Sequence, residues 1–128
     1  MRKLINPPGT EGIYQSWHFS QAVRAGNQVW VSGQVGIDEN GIGDGIEAQT
    51  RAAFRNLVRV LDAAGATLRD VVELVTFHRA MQEMQAFSKV KDEFFPEDYP
   101  AWTAVGVTAL ALPELLVEIR ATAVLSEG

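Results

Sequence analysis

Two charged residues, Glu118 and Arg120, stand two positions apart in the largely apolar segment Leu115–Ala123. Side chains two apart in a strand point to the same face of a sheet, so we expect these two to be neighbours. A guanidinium can bind a carboxylate through two parallel hydrogen bonds, and a carboxylate can exchange a proton in catalysis. Both residues also have a structural interpretation, as a salt bridge with each other or with a neighbouring subunit, or as solvent-facing side chains.

The segment that carries this pair is the second of two predicted strands near the end of the chain. Thr103–Thr108 and Leu115–Ala123 are joined by a connection that contains Leu112 and Pro113. Further upstream, Trp17–Arg24 alternates imperfectly and the compact run Gln28–Ser32 follows a turn signal, which predicts a β-hairpin. A short additional strand is possible near Gly33–Ile37.

Two amphipathic helices are predicted between the strands. The first has an apolar stripe with Asp44 as a candidate N-cap and Gly65 as a left-handed C-cap; the stripe is Ile46, Ala53, Phe54, Leu57, Val58, Leu61 and Ala64. The second covers Glu83–Phe95 and ends at a proline. The β-branched run Val71–Phe77 between them is typical of a central strand.

The predicted order β-β-α-β-α-β-β indicates a single domain over residues 1–128, after an irregular lead-in at residues 1–16. Two helices among about six strands predict a two-layer α+β sandwich with both helices on one face of a mixed sheet. One apolar sheet face would comprise Val29, Val31, Val105, Val107, Val117 and Ile119. The alternate positions Trp30, Ala104, Gly106 and Leu116 are also largely apolar, so we expect other subunits to cover the second face.

Composition restricts the classes of function. The 128 residues contain no cysteine, which excludes disulfides, thiolate metal sites and a cysteine nucleophile. The net charge of −5 argues against nonspecific nucleic-acid binding, which needs a basic surface. The beginning of the chain does not resemble a secretory signal, and no apolar run reaches about 18 residues, so we expect a cytoplasmic protein that does not enter membranes.

Four stretches of the sequence, in register from about residue 12 to residue 124, match motifs of one family. They are Phe19-Ser20-Gln21-Ala22-Val23 with Gly26-Asn27, Val31-Ser32-Gly33-Gln34, the helix pattern from Gln49-Thr50 to Ala64-Gly65, and the closing segment from Pro100 through Leu112-Pro113 to Val117-Glu118-Ile119-Arg120. This pattern resembles the Rid/YjgF superfamily.

The resemblance implies a chorismate-mutase-like fold assembled as a homotrimer, with small-molecule clefts between subunits. In its best-known members these clefts hydrolyse 2-imino acids to 2-keto acids and ammonia. We expect no cofactor, and without cysteine or a clustered carboxylate motif the two histidines are too few to indicate a metal site. The implied ligand-binding positions in this chain are Phe19, Ser32, Gly33, Trp102, Ala104, Glu118 and Arg120, of which Glu118 and Arg120 are the catalytic candidates.

Several of these positions depart from the family pattern. Trp102 occupies the position of the arginine that would bind the substrate carboxylate, and Arg120 occupies that of the second glutamate in the closing motif. Phe19 replaces a tyrosine, and Ala104 replaces a frequent cysteine, whereas Glu118 is retained. The chain is therefore similar to the arginine-lacking, YjgH-like branch, for which imine deamination is not implied.

Three functional hypotheses follow. The first is a trimer that binds a small metabolite without the standard deaminase activity. The second is a rewired deaminase in which Arg120 binds the carboxylate and Glu118, with Ser32 or Gly33, orients water. The third, and weakest for so acidic a chain, is the older family label of endoribonuclease or translation inhibitor. His18 and His78 could serve as acid or base near neutral pH, although a lone histidine is more often structural.

Overall fold

The protein is described by a computed structural model over residues 1–126. Its helices and strands, in chain order, are β1 (Arg2–Ile5), α1 (Glu11–Trp17), β2 (Ala22–Ala25), β3 (Gln28–Val35), β4 (Ile37–Asp38), β5 (Gly41–Ile42), α2 (Ile46–Ala63), β6 (Val71–His78), α3 (Met84–Phe94), β7 (Ala101–Gly106) and β8 (Val117–Val124). Short 3-10 turns at Leu68–Asp70 and Met81–Glu83 precede β6 and α3.

Six strands form one mixed sheet in the spatial order β1-β2-β3-β8-β6-β7. All neighbouring pairs are antiparallel except β6 and β7, which run parallel because α3 connects them. The two-stranded hairpin β4-β5 is separate from this sheet. The predicted α+β sandwich with a six-stranded mixed sheet is confirmed.

The core lies between one face of the sheet and the helices α2 and α3. Strand positions with buried side chains alternate along β3, β6 and β8, and they pack against the apolar stripe of α2. We call this the helix-covered face; its central members are Val29, Val31, Leu74, Ile119 and Ala121, in one cluster with Phe54, Leu57 and Leu61. The other face of the sheet is called the open face below.

Helix α2 ends as its sequence predicts and begins differently. Gly65 has φ of +81°, and the amide of Ala66 donates to the carbonyl of Leu61 at 2.8 Å, which closes the helix in a left-handed cap. The N-cap is Gly45 rather than the predicted Asp44, and no side chain caps the helix there. Among the described residues, no helix has the length and apolarity that a membrane crossing would require.

The lead-in predicted to be irregular is structured. Strand β1 pairs with β2 along its whole length, and α1 follows as a third helix. The predicted strand Trp17–Arg24 was too long because Trp17 ends α1 and His18, with φ of 59°, turns the chain. None of the α1 side chains is buried, so the sequence contained no buried stripe that would have revealed this helix.

The predicted distribution of apolar residues between the two sheet faces was wrong for β7. Trp102 lies opposite the buried Leu74, and Ala104 lies opposite Thr76, so the even-numbered positions of β7 belong to the helix-covered face. Val105 is opposite Phe77 on the open face instead. The phase of alternation in β7 follows from its pairing with β6, which the sequence of β7 alone does not contain.

Candidate functional site

A β-bulge in β3 shapes the centre of the candidate site. The pairing of β3 with β8 shifts between Val31 and Gln34, which leaves Ser32 and Gly33 out of the regular ladder. The Ser32 hydroxyl donates to the carbonyl of Ser20 at 2.7 Å, and the Ser32 amide donates to the carbonyl of Gln21 at 2.9 Å. Ser32 therefore holds the segment before β2 against the bulge.

The carboxylate of Glu118 rests against Gly33 across the strand pair. A Cβ atom at position 33 would lie 2.3 Å from Oε2 of Glu118, so only glycine leaves the carboxylate in this place. Glu118 lies on the open face, between Val35 of β3 and Phe77 of β6. Its partial burial raises the pKa of the carboxyl group, and the positive charge of Arg120 opposes this rise.

Arg120 lies on the same face as Glu118, as the alternation of β8 predicts. Its side chain is exposed, and its Cζ atom is 6.0 Å from the ring centroid of Phe77. No ion pair shorter than 4.0 Å joins Arg120 to Glu118 in the part of the chain that the structure describes. Within one subunit, the guanidinium remains available to an anion on the open face.

Trp102 lies on the opposite side of the sheet from Glu118 and Arg120. Its indole Nε1–H donates to Oγ1 of Thr76 at 2.9 Å, and its ring packs against Phe87 of α3 with centroids 5.9 Å apart. The ammonium of Lys91, also in α3, is 4.8 Å from the indole centroid. The tryptophan is thus anchored into its own subunit, although 37% of its surface stays exposed.

Comparison with known proteins now places the chain. The sequence profile of the family described as Endoribonuclease L-PSP matches residues 10–125, which is most of the chain. This protein belongs to the Rid/YjgF superfamily.

Individual relatives agree with this assignment. The chain is 40% identical over 113 residues to the RutC family protein YjgH of Escherichia coli, covering 86% of each protein. It is 35% identical over 126 residues to a 3-aminoacrylate deaminase, RutC, of Acinetobacter baylyi, covering 95% of this chain and 97% of that protein. The crystal structure of Rv2704 from Mycobacterium tuberculosis, a YjgF/YER057c/UK114 family member, superposes with a TM-score of 0.86 at 37% identity, covering 98% of this chain and 100% of that one.

The seven positions that the Rid/YjgF motifs indicate do not form one constellation in the subunit. Gly33, Glu118 and Arg120 meet at the open face, with Ser32 beside them in the bulge. Trp102 and Ala104 share the helix-covered face, and Phe19 lines a cavity that Gly33 also borders. In a Rid/YjgF cleft built from two subunits, residues on opposite faces of the sheet would have to come from different copies of the chain.

His78 belongs to the Trp102 side of the molecule. It is fully buried, its Nε2 atom is 2.6 Å from Oγ1 of Thr76, and burial lowers its pKa. Thr76 Oγ1 thus links His78 to Trp102, because it accepts the indole N–H and shares a second hydrogen bond with Nε2 of His78. His78 lies on the face of the sheet opposite Glu118, and the exposed His18 is the C-cap of α1.

Lys91 is the residue that motif reasoning passed over on this side. It is buried with the apolar stripe of α3, and its ammonium contacts Asp92 at 3.3 Å as well as the Trp102 ring. The sequence indicates the buried position of Lys91, because it is the one cation on a helix face otherwise formed by Met84, Phe87, Val90 and Phe94. In the described residues, no group of three or more histidine, aspartate or glutamate side chains could hold a metal ion.

Proposed function

We propose that this Rid/YjgF protein binds a small metabolite at the open face, around Glu118, Gly33 and Arg120, in clefts that neighbouring subunits of a homotrimer complete. We also propose that it lacks the standard 2-imino acid deaminase activity. The observation that carries the proposal is the placement of Trp102, whose indole is hydrogen-bonded to Thr76 on the far side of the sheet. The guanidinium expected at this position is absent, and the tryptophan contacts its own helix α3 instead.

The apolar residues of the open face, which the helices do not cover, support the trimer. Trp30, 45% exposed, Val105, 37% exposed, and the half-buried Val75 and Phe77 all lie on the open face. A subunit that exposes this much apolar surface is stabilised by a second layer of protein. Light scattering on a size-exclusion column is expected to give three times the chain mass of 14.0 kDa. A monodisperse species of the single-chain mass would overturn the trimer.

A rewired deaminase is the second candidate, and the environment of Glu118 favours it. Burial raises the pKa of this carboxyl group toward the range in which a carboxylate accepts a proton efficiently, and Arg120 is exposed on the same face. Glu118 would take a proton from water as the water oxygen bonds to the imine carbon. Proton transfer to the nitrogen and cleavage of the C–N bond would then release ammonia and the 2-keto acid.

Hydrolysis of freshly generated 2-iminobutanoate separates the two candidates. The first predicts that the protein does not increase the rate above the spontaneous one. The second predicts an increase that Glu118→Gln and Arg120→Gln each abolish. The matched control is Glu73→Gln, which removes the carboxylate of a β6 residue that pairs with Thr122 of β8. This variant should retain any activity. Activity that survives both Glu118→Gln and Arg120→Gln contradicts both candidates.

Binding at the open face is tested with two matched probes, 2-oxobutanoate and its neutral amide 2-oxobutanamide, in an NMR titration. The proposal expects at least one of them to shift the amide signals of Glu118 and Arg120. If Arg120 binds a carboxylate, the acid binds more tightly than the amide, and Arg120→Gln removes the difference. Shifts confined to other parts of the chain would contradict a site around Glu118.

The endoribonuclease activity named in the family description is the weakest candidate. The chain carries 11 basic and 16 acidic residues, and phosphate binding depends on a basic surface. A filter-binding titration with single-stranded RNA is expected to show no salt-dependent affinity.

We place the protein in the cytoplasm, which fractionation of cells expressing the native chain would test.

A further inference from the structure

A cavity of about 410 Å³ lies between α2 and the segment before β2, and Gly33, which contacts Glu118, is one of its lining residues. It is bordered by α1, the end of β3, β4 and the middle of α2 and opens to solvent on one side, and we call it the α1–α2 cavity. Its walls are mainly apolar: Pro7, Ile13, Phe19, Val35, Ile37 and Val60. Its size falls in the range of small-molecule sites, which combine apolar walls with a few directed polar groups.

Two buried glutamines form the inner polar wall of the cavity. Gln21 and Gln34 are 5% and 6% exposed, and Nε2 of Gln34 donates to Oε1 of Gln21 at 2.9 Å. This bond leaves the amide nitrogen of Gln21 and the amide oxygen of Gln34 without hydrogen bonds to other described residues. Neither atom is fully shielded from solvent, so the free donor and the free acceptor both face the cavity, where they are available to a polar ligand.

Charges of both signs line the rest of the cavity. Arg59 extends from α2, and neither a salt bridge nor a side-chain hydrogen bond joins it to another described residue. Asp38 and Glu39 follow β3, and an oxygen of Asp38 already accepts the amide of Asn40 at 2.8 Å. Arg59 is therefore a cation without a partner among the described residues, and the two carboxylates are the anions; Arg59 and Glu39 are exposed at the rim of the cavity, and Asp38 is half-buried.

We propose that the α1–α2 cavity is a second small-molecule site, which binds an amphipathic α-amino acid as a zwitterion. Arg59 binds the carboxylate, Glu39 binds the ammonium group, and the two glutamines add one donor and one acceptor. The aliphatic side chain lies against Phe19 and Val60. An isolated anion would meet Asp38 and Glu39, and an isolated cation would meet Arg59, so a ligand with both charges is favoured.

This site is independent of the one proposed around Glu118. It shares Phe19 and Gly33 with the positions that the family motifs indicate, but its charged groups are different. It is formed by one chain and needs no residue from a neighbouring subunit. Glu118→Gln is therefore expected to leave amino-acid binding unchanged, so failure of either proposal can be recognised without reference to the other.

The test is an NMR titration of the full chain with four matched compounds. L-leucine carries both charges and an aliphatic side chain, 4-methylpentanoate lacks the ammonium group, 3-methylbutylamine lacks the carboxylate, and glycine lacks the side chain. L-leucine is expected to bind at least about tenfold more tightly than each of the others, because each loses a charge-assisted hydrogen bond or an apolar contact. Its shifts should include the side-chain amides of Gln21 and Gln34.

Arg59→Met is expected to weaken L-leucine binding by about tenfold and to leave 3-methylbutylamine binding unchanged, because only the carboxylate partner is removed. Arg55→Met, one turn away on α2 and outside the cavity, is the matched control and should bind L-leucine normally. If Arg59→Met does not fold, Glu39→Gln gives the complementary test: it weakens L-leucine but not 4-methylpentanoate. Absence of L-leucine binding, loss of that binding in Glu118→Gln, or equal affinity for all four compounds would overturn the proposal.

Discussion

The carboxylate of Glu118 occupies the space that a side chain at Gly33 would take. A Cβ atom at position 33 would lie 2.3 Å from Oε2 and 2.6 Å from Cδ of Glu118, well inside the distance that two such atoms tolerate. The glycine of the β3 bulge and the glutamate of β8 are therefore fitted to each other. This contact determines where the partly buried carboxylate can lie on the open face.

Replacing Gly33 with alanine should displace this carboxylate without disrupting the fold. The clash involves the end of a flexible side chain, so we expect a loss of about 1 kcal/mol or less in the free energy of unfolding. At Gly36 an added Cβ would lie 2.6 Å from Cα and 2.7 Å from the backbone oxygen of Gln49 in α2, which cannot rotate away. Gly36→Ala should therefore cost about 3 kcal/mol.

Urea unfolding of the two variants measures this difference, and Gly33→Ala should also bring the pKa of Glu118 closer to its ordinary value by exposing it. Equal destabilisation by the two substitutions would show that Glu118 cannot move away from position 33. An unchanged pKa in a folded Gly33→Ala variant would contradict the dependence of Glu118 burial on this glycine.

The raised pKa of Glu118 makes a signed prediction about stability and pH. The carboxyl group of Glu118 has a pKa near 4.5 in the unfolded chain and a higher pKa in the folded protein, so the folded state binds its proton more tightly. The protonated carboxyl group therefore stabilises the fold in acid, and this stabilisation is lost as pH rises through the folded pKa. Glu118→Gln cannot ionise. Its stability relative to the unmutated protein should therefore increase as pH rises from about 4.5 toward neutrality.

Urea unfolding at a series of pH values gives the difference curve. Comparison of variants is essential because the lowered pKa of His78 has the opposite effect, removing stability as pH falls below about 6.5. Glu97→Gln, at an exposed position after α3, is the control for loss of one negative charge. A difference curve that is flat, or that declines with pH, would show that Glu118 is not desolvated in the folded protein.

The sequence predicted those elements whose pattern repeats over several turns or residues. Helix α2 has a full apolar stripe and a glycine where its left-handed cap forms, and β6 is a long β-branched run. Strand β1 is four residues long and α1 buries nothing, so neither had a periodic signal. Local pattern reveals an element only when tertiary burial has shaped its sequence.

The site was predictable in part for a related physical reason. Alternation along β8 correctly put Glu118 and Arg120 on one face, because both belong to the same strand. The side of the sheet on which Trp102 lies depends on its pairing with β6, and the free groups of Gln21 and Gln34 depend on a contact between β3 and the segment before β2. Relationships between elements are absent from any single segment of sequence.

Gln49 shows how a motif residue can be structural. Its buried side chain donates to the carbonyls of Gly43 and Glu114 at 3.1 and 3.0 Å, and it accepts the amide of Leu116 at 2.8 Å. Gln49→Ala leaves these backbone groups without their partner and should cost about 3 kcal/mol of unfolding free energy. The exposed Gln85→Ala on α3 is the control. A loss below about 1 kcal/mol would mean that water replaces the amide.

Restoring the family arginine at position 102 should destabilise this protein. The indole packs on Phe87 with the Lys91 ammonium 4.8 Å from its centroid, so Trp102→Arg replaces a favourable cation–π contact with two like charges. At about 5 Å and an effective dielectric constant near 20, their repulsion is about 3 kcal/mol, which partial exposure reduces to about 2 kcal/mol. Trp102→Phe, which keeps an aromatic ring but loses the bond to Thr76 and part of the indole packing, should cost at least about 1 kcal/mol.

Lys91→Met provides the decisive partner for a double-mutant cycle. If the repulsion is real, Trp102→Arg in the Lys91→Met background should cost at least about 1 kcal/mol less than in the native background. Urea unfolding of the four proteins gives the coupling energy directly. Zero coupling would show that the arginine leaves the helix-covered face, and then Trp102→Arg should be examined for hydrolysis of 2-iminobutanoate. With coupling present, the arginine stays beside α3, and it should confer no such activity because its guanidinium then lies beside the Lys91 ammonium of that helix in place of a substrate carboxylate site.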